Sequence, residues 1–246
     1  MVKSIYLITG ANSDIGFYLI QYLISQNNYV IGTCRKSTHE LQSIPTTNFE
    51  LISNIDIENT EDLSILQKVL IGKGDIQYNV IHCIGNFWHH KSIISTDHLE
   101  ARDLIISHYL TTFNLLKLIV PIMKKNKGGR ILTFSCNSVI YNYPEMAAFT
   151  SAKAAVETLV KCCANENSQY NIVINTLALS TIKTEKVVNS KKEKYHDDYL
   201  TLEELKDIII HTISGPKFIN GNIIKVLKHS KYFYHESYYD RNEIIE

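Results

Sequence analysis

Short, strongly apolar runs alternate along this chain with longer segments whose apolar residues recur at helical spacing. The run Ile5, Leu7, Ile8 predicts a buried strand, and Ile15, Leu19, Ile20 and Leu23 mark one face of a helix behind it, with Thr9-Gly10 as the tight turn between them. Further apolar runs over residues 29–34, 49–55, 79–85, 128–136, 172–178 and 222–227 each predict a strand. Helical patterns separate them: an acidic start over 58–62, a long apolar stretch over 101–125, a small-residue face over 146–164, and 202–214. Strand alternating with helix predicts the α/β class, a doubly wound parallel sheet of seven strands with helices on both faces. No Pro/Gly/Ser-rich linker interrupts the pattern, so residues 1–227 are expected to form one domain. Residues 228–246 form an arm rich in aromatics (Tyr232, Phe233, Tyr234, Tyr238, Tyr239), part of that domain or an oligomer contact.

Composition narrows the function classes. The 246 residues are 45% hydrophobic, enough for a substantial core, and 25 basic residues balance 25 acidic ones. A net charge of zero implies neither a nucleic-acid nor a membrane-surface partner. The chain enters a core strand without a leader pattern and has no unbroken run of eighteen apolar residues, which together suggest a cytoplasmic protein. Five cysteines, Cys34, Cys83, Cys136, Cys162 and Cys163, are odd in number and fit reduced thiols rather than a disulfide framework. None has zinc-site spacing, and no metal is expected.

The candidate chemistry begins at the first turn, Gly10-Ala11-Asn12-Ser13-Asp14-Ile15-Gly16. A strand feeding a helix N-terminus through glycines cradles a nucleotide phosphate: Gly10 admits the backbone to the pyrophosphate, Gly16 lets helix pack on strand, and free N–H groups face the anion. The turn resembles the TGxxxGxG motif of the short-chain dehydrogenase/reductase family, with Asp14 at its middle glycine, where an Asp can cap the helix. At the end of the second strand stand Arg35 and Lys36 and no acid, so NADP(H) is favoured over NAD(H); the plainer alternative is a pair of solvated loop charges. Asp56-Ile57 matches the family's adenine contact, although an acid before a helix can equally be a cap. Cys83 and Gly85 fall within the family's NNAG segment. Only the glycine is kept there, and His82 and Cys83 replace the asparagines. Thr184 matches the family's carboxamide contact, and residues 185–199 resemble a shortened substrate loop.

The resemblance covers residues 3 to about 227 and implies a Rossmann-type fold that binds a nicotinamide cofactor and acts on a small molecule. It implies much less about catalysis. The family's acid, a Tyr, falls on Phe149, its Ser on Cys136 and its helix-borne Asn on His108; only the Lys, Lys153, which in the family lowers the phenol's pKa and holds the nicotinamide ribose, is intact. Phe149 has no ionisable proton and Cys136 is a weak donor. Three readings follow: an atypical oxidoreductase taking its proton from His108, His89, His90, Tyr141, Tyr143 or solvent; a non-catalytic NADP(H)-binding subunit or sensor; or a redox-neutral enzyme. Histidine suits the first because its ordinary pKa lies near neutrality. The apolar faces of 101–125 and 146–164 (Leu104, Tyr109, Phe113, Leu116, Val120; Ala148, Ala155, Leu159) imply a homodimer or homotetramer, unless the 228–246 arm covers them.

Overall fold

Seven strands pair in parallel in the order β3-β2-β1-β4-β5-β6-β7: β1 Ser4–Thr9, β2 Val30–Cys34, β3 Phe49–Ser53, β4 Gln77–His82, β5 Gly129–Cys136, β6 Ile172–Leu179 and β7 Ile223–Val226. The computed structural model describes residues 4–228 except 87, 89, 191 and 192. His89 and the aromatic arm beyond Lys228 therefore lie outside the described residues. Strand order reverses between β1 and β4, which opens a crevice at their C-terminal ends, where ligands of open α/β sheets bind.

Alternation along the strands builds a core on each face. Leu7 and Val80, paired in register, join Ile31, Ile131 and Ile174 on one face; Ile8 and Ile81 join Val30, Leu132 and Leu177 on the other. The helices α1 Asp14–Ser25, α2 His39–Gln42, α3 Thr60–Gly72, α4 His98–Ile105, α5 Thr111–Lys125, α6 Ser138–Tyr141, α7 Ala147–Asn167, α8 Glu185–Ser190 and α9 Leu202–Ser214 complete the fold. Leu66, Leu115 and Val156 of α3, α5 and α7 cover the first face; Leu19 and Ile209 of α1 and α9 cover the second. Each such fully buried side chain contributes about 1.5–3 kcal/mol.

Local chemistry decides the helix starts, and two of the expected caps move. Ser13, not Asp14, caps α1: its Oγ accepts from Gly16 N at 3.1 Å while donating to the Gly10 carbonyl at 2.7 Å. Asp14 is the first helical residue, where its charge complements the helix dipole. Likewise Asn59, not Asp56, caps α3, accepting from Glu61 N at 2.8 Å. Asp56 instead accepts from Glu58 N at 3.0 Å in a turn of its own.

The long apolar stretch becomes one continuous helix through α4 and α5, broken by a π-helical segment, Ile106–Leu110. Such bulges recur at functional sites, and His108 sits in this one. The whole helix, 98–125, is long and apolar enough by composition to cross a membrane, but more than half of its most apolar window is buried within this domain. Leu104, Leu116 and Val120, expected on an outward face, are covered by the chain itself, leaving Ile105 and Phe113 exposed. Tyr109 stacks on Phe113 with centroids 6.2 Å apart.

Candidate active site

The crevice at the strand reversal is a cleft of about 400 Å³. Its floor and walls bring together residues far apart in sequence: Ser13, Asp14 and Ile15 from the start of α1, Cys83 and Gly85 after β4, and His108 from the π-turn. Cys136 ends β5, Phe149 and Lys153 lie on α7, and Thr184 precedes α8. His90 and Tyr143 also face it, whereas Tyr141 is not among the lining residues.

Gly10 explains the floor. Its φ is +73°, and a Cβ there would lie 2.7 Å from the Cys83 carbonyl oxygen, so only glycine lets β1 turn against β4. A Cβ on Gly16 would stand 2.3 Å from the Gly10 carbonyl, so the helix N-terminus is drawn tightly onto the strand end. This cradle suits a dinucleotide phosphate, with one electrostatic exception: Asp14 puts an exposed carboxylate where an anion would approach. Asn12 donates to the Lys36 carbonyl at 3.3 Å, tying this turn to the end of β2. Arg35 and Lys36 are exposed beyond the cleft rim, as is Asp56 in part; burial and then the Asp56 charge raise the Glu58 carboxyl pKa, with Arg35 opposing them. Ile57, expected as a cofactor contact, is 1% exposed and packs in the core; its carbonyl accepts from Asn114 Nδ2 at 2.9 Å. Its side chain is therefore unavailable to a ligand.

Lys153 governs the electrostatics. Only 8% exposed, it donates from Nζ to the Phe134 carbonyl at 3.1 Å and sits 5.6 Å from the Phe149 ring centroid. Burial pushes its pKa down to about 8, partly opposed by attraction to Cys136. Cys136 Sγ donates to Asn137 Oδ1 at 3.4 Å and accepts from Ser138 N at 3.5 Å. Beside them Ser135 donates to the buried Glu157 carboxylate at 2.6 Å, a pairing that sequence reading missed because the two are 22 residues apart on different elements.

The two histidines are neutral, contrary to the expectation of a pKa near neutrality. His82 shares a hydrogen bond between Nδ1 and Thr9 Oγ1 at 2.7 Å and another between Nε2 and Thr111 Oγ1 at 3.3 Å, bridging β1 and α5. Burial lowers its pKa to about 3. His108 is 2% exposed, presses its ring against Gly85, and meets Phe149 edge-on at 5.2 Å. Burial first, and then the Lys153 charge, lower its pKa to about 2; the Asn86 backbone opposes this slightly without forming a hydrogen bond of ordinary geometry. Neither ring nitrogen makes a protein hydrogen bond of ordinary geometry. Among the described residues no three His, Cys, Asp or Glu side chains converge as a metal site, and all five cysteines are free.

A parallel sheet with a glycine cradle at its switch point defines a Rossmann-type α/β protein. The short chain dehydrogenase model matches residues 4–195, and the chain belongs to that family. Its relatives are distant. A fatty acyl-CoA reductase of Acinetobacter baylyi is 23% identical over 216 residues, 84% of this chain and 72% of the relative. The oxidoreductase YxjF of Bacillus subtilis is 26% identical over 209 residues, 77% of this chain and 75% of the relative. A short-chain type dehydrogenase/reductase from Mycobacterium ulcerans shares the fold with a TM-score of 0.81 at 20% identity, over 92% of this chain and 89% of that one. A Tyr→Phe variant of ElxO with NADPH bound shares it at 0.78 and 22% identity, over 92% and 97%.

Proposed function

We propose that this protein binds NADP(H) in preference to NAD(H) and acts as an atypical oxidoreductase on a carbonyl or hydroxyl group. The observation carrying this reading is the Lys153 ammonium, buried in the cleft with a pKa of about 8 and with Phe149, which has no hydroxyl, one turn away. A general acid works best when its pKa lies near the operating pH, which neither neutral histidine offers. Lys153 thus takes over as proton source at the substrate oxygen, while the one N–H of neutral His108 orients that oxygen. The nicotinamide supplies or accepts the hydride. Gly10, Ser13, Ile15, Gly16 and Asn12 hold the phosphates, Arg35 and Lys36 neutralise a 2′-phosphate, Asp56 meets the adenine side, and Cys83, Gly85 and Thr184 border the nicotinamide. That a Tyr→Phe variant of ElxO still has NADPH bound supports the idea that a phenylalanine such as Phe149 need not prevent cofactor binding. Free thiols accord with a cytoplasmic location, and the exposed Ile105 and Phe113 with a homodimer or homotetramer.

The test is NADPH oxidation with a panel of apolar aldehydes and ketones. Turnover that falls about 10²- to 10⁴-fold in Lys153→Met supports the reading. Asp14 favours a second one: its carboxylate weakens pyrophosphate binding, as a non-catalytic sensor would tolerate. Cofactor binding without turnover on any carbonyl would point there.

A further inference from the structure

The cleft contains a nucleophile that hydride transfer does not use. We propose that Cys136 is a covalent capture site for apolar α,β-unsaturated carbonyl compounds, with His108 holding the carbonyl oxygen and Lys153 supplying the counter-charge and proton.

Three independent features place it there. Cys136 is half-buried yet lines the cleft, and its sulfur is oriented by Asn137 Oδ1 on one side and the Ser138 N–H on the other. His108 lines the same cleft, 2% exposed, with neither ring nitrogen in a protein hydrogen bond of ordinary geometry. A buried imidazole left unpaired costs roughly 1–3 kcal/mol, so a ligand carbonyl accepting its N–H relieves a standing penalty. Lys153, also in the wall, attracts the Cys136 thiolate electrostatically. Phe134, Met146, Phe149 and Leu179 give the cleft an apolar stretch of wall, which favours a hydrocarbon-bearing ligand.

The step balances without an oxidant. The thiol proton passes to the amine form of Lys153, and sulfur forms a bond to the β-carbon as the C=C π bond breaks. The displaced electron pair becomes an enolate whose oxygen accepts from His108. Lys153 then returns the proton to the α-carbon. A serine in place of Cys136 would offer a hydrogen bond but not this soft nucleophile.

The inference rests on the cleft being the substrate site but needs no nicotinamide, so it is tested without one. The full-length protein is treated with trans-2-nonenal or with trans-2-pentenal, which share the same β-substituted enal, and adducts at each cysteine are timed by peptide mass mapping. Exposed Cys162, outside the cleft lining, is the internal reference. The expected result is a Cys136 rate at least about tenfold above that of Cys162. It should also show a preference of about tenfold or more for the nine-carbon probe at Cys136 alone, from burial of its additional methylenes. Lys153→Met should slow Cys136 and leave Cys162 unchanged. A Cys136 rate no higher than that of Cys162, or no chain-length preference in the unmutated protein, overturns the proposal even if Lys153→Met does not fold. Adducts without NADPH binding would retain it and remove the oxidoreductase reading; NADPH binding without selective adducts would do the reverse.

Discussion

Lys153 Nζ lies 5.6 Å from the centroid of the Phe149 ring, with nothing ionisable on that ring to receive its influence. A phenol at this position would stand one helical turn from a buried ammonium, whose charge lowers a phenol's pKa. Phe149→Tyr combined with Cys136→Ser is therefore expected to raise NADPH-dependent reduction of small activated carbonyls by about 10²-fold or more, the usual range for a positioned acid. Steady-state kinetics on the double variant check this; a rate equal to the parent's would show that the ring does not face the reacting oxygen.

Buried Lys153 also links stability to pH. Its folded pKa of about 8 lies below the ordinary 10.5, so the unfolded chain holds the proton more tightly and burial costs stability at neutral pH. That cost is fully present below pH 8 and is relieved as pH rises from 8 toward 10.5. Lys153→Met should stabilise the fold at pH 7 by on the order of 1–3 kcal/mol, less than the full shift because the Phe134 carbonyl loses its donor. Denaturant titrations should show this advantage shrinking between pH 8 and 10.5; an advantage that grows there would refute the assignment.

The neutral histidines give a slope of the same sign at lower pH. His82 and His108, lowered to about 3 and about 2, bind protons in the unfolded chain first, so stability falls as pH drops below the ordinary value of 6.5. Each contributes a loss of about 2 kcal/mol between pH 7 and pH 5. His108 has no hydrogen bond of ordinary geometry to lose, so His108→Asn should remove its share of the slope. Unfolding curves at the two pH values that differ as much in the variant as in the parent would mean that His108 is solvated.

Much of this was legible in the sequence. The short apolar runs through Leu7, Val80 and Ile131 and the glycines at 10 and 16 mark the sheet and its cradle because both depend on local chemistry. The chain also yields the clustering of Cys136, Phe149, Lys153 and His108, since their spacing follows the family pattern. What it hid depends on contacts between distant elements: the π-turn carrying His108, the Ser135–Glu157 pair, and the choice of Ser13 over Asp14 as cap. The neutral state of His108 was hidden for the same reason, because Gly85 and Phe149 close over the ring only in the folded chain.

The central claim is that the cofactor contacts persist although the usual acid is gone, and calorimetric titration with NADPH and NADH tests it most directly. The unmutated protein should bind NADPH more tightly than NADH, and Arg35→Ala should weaken NADPH by about 1.5–3 kcal/mol, the range for charge-assisted hydrogen bonds, with little change for NADH. Equal affinities would contradict the NADP(H) assignment, and no binding of either at millimolar concentration would contradict the cofactor site itself.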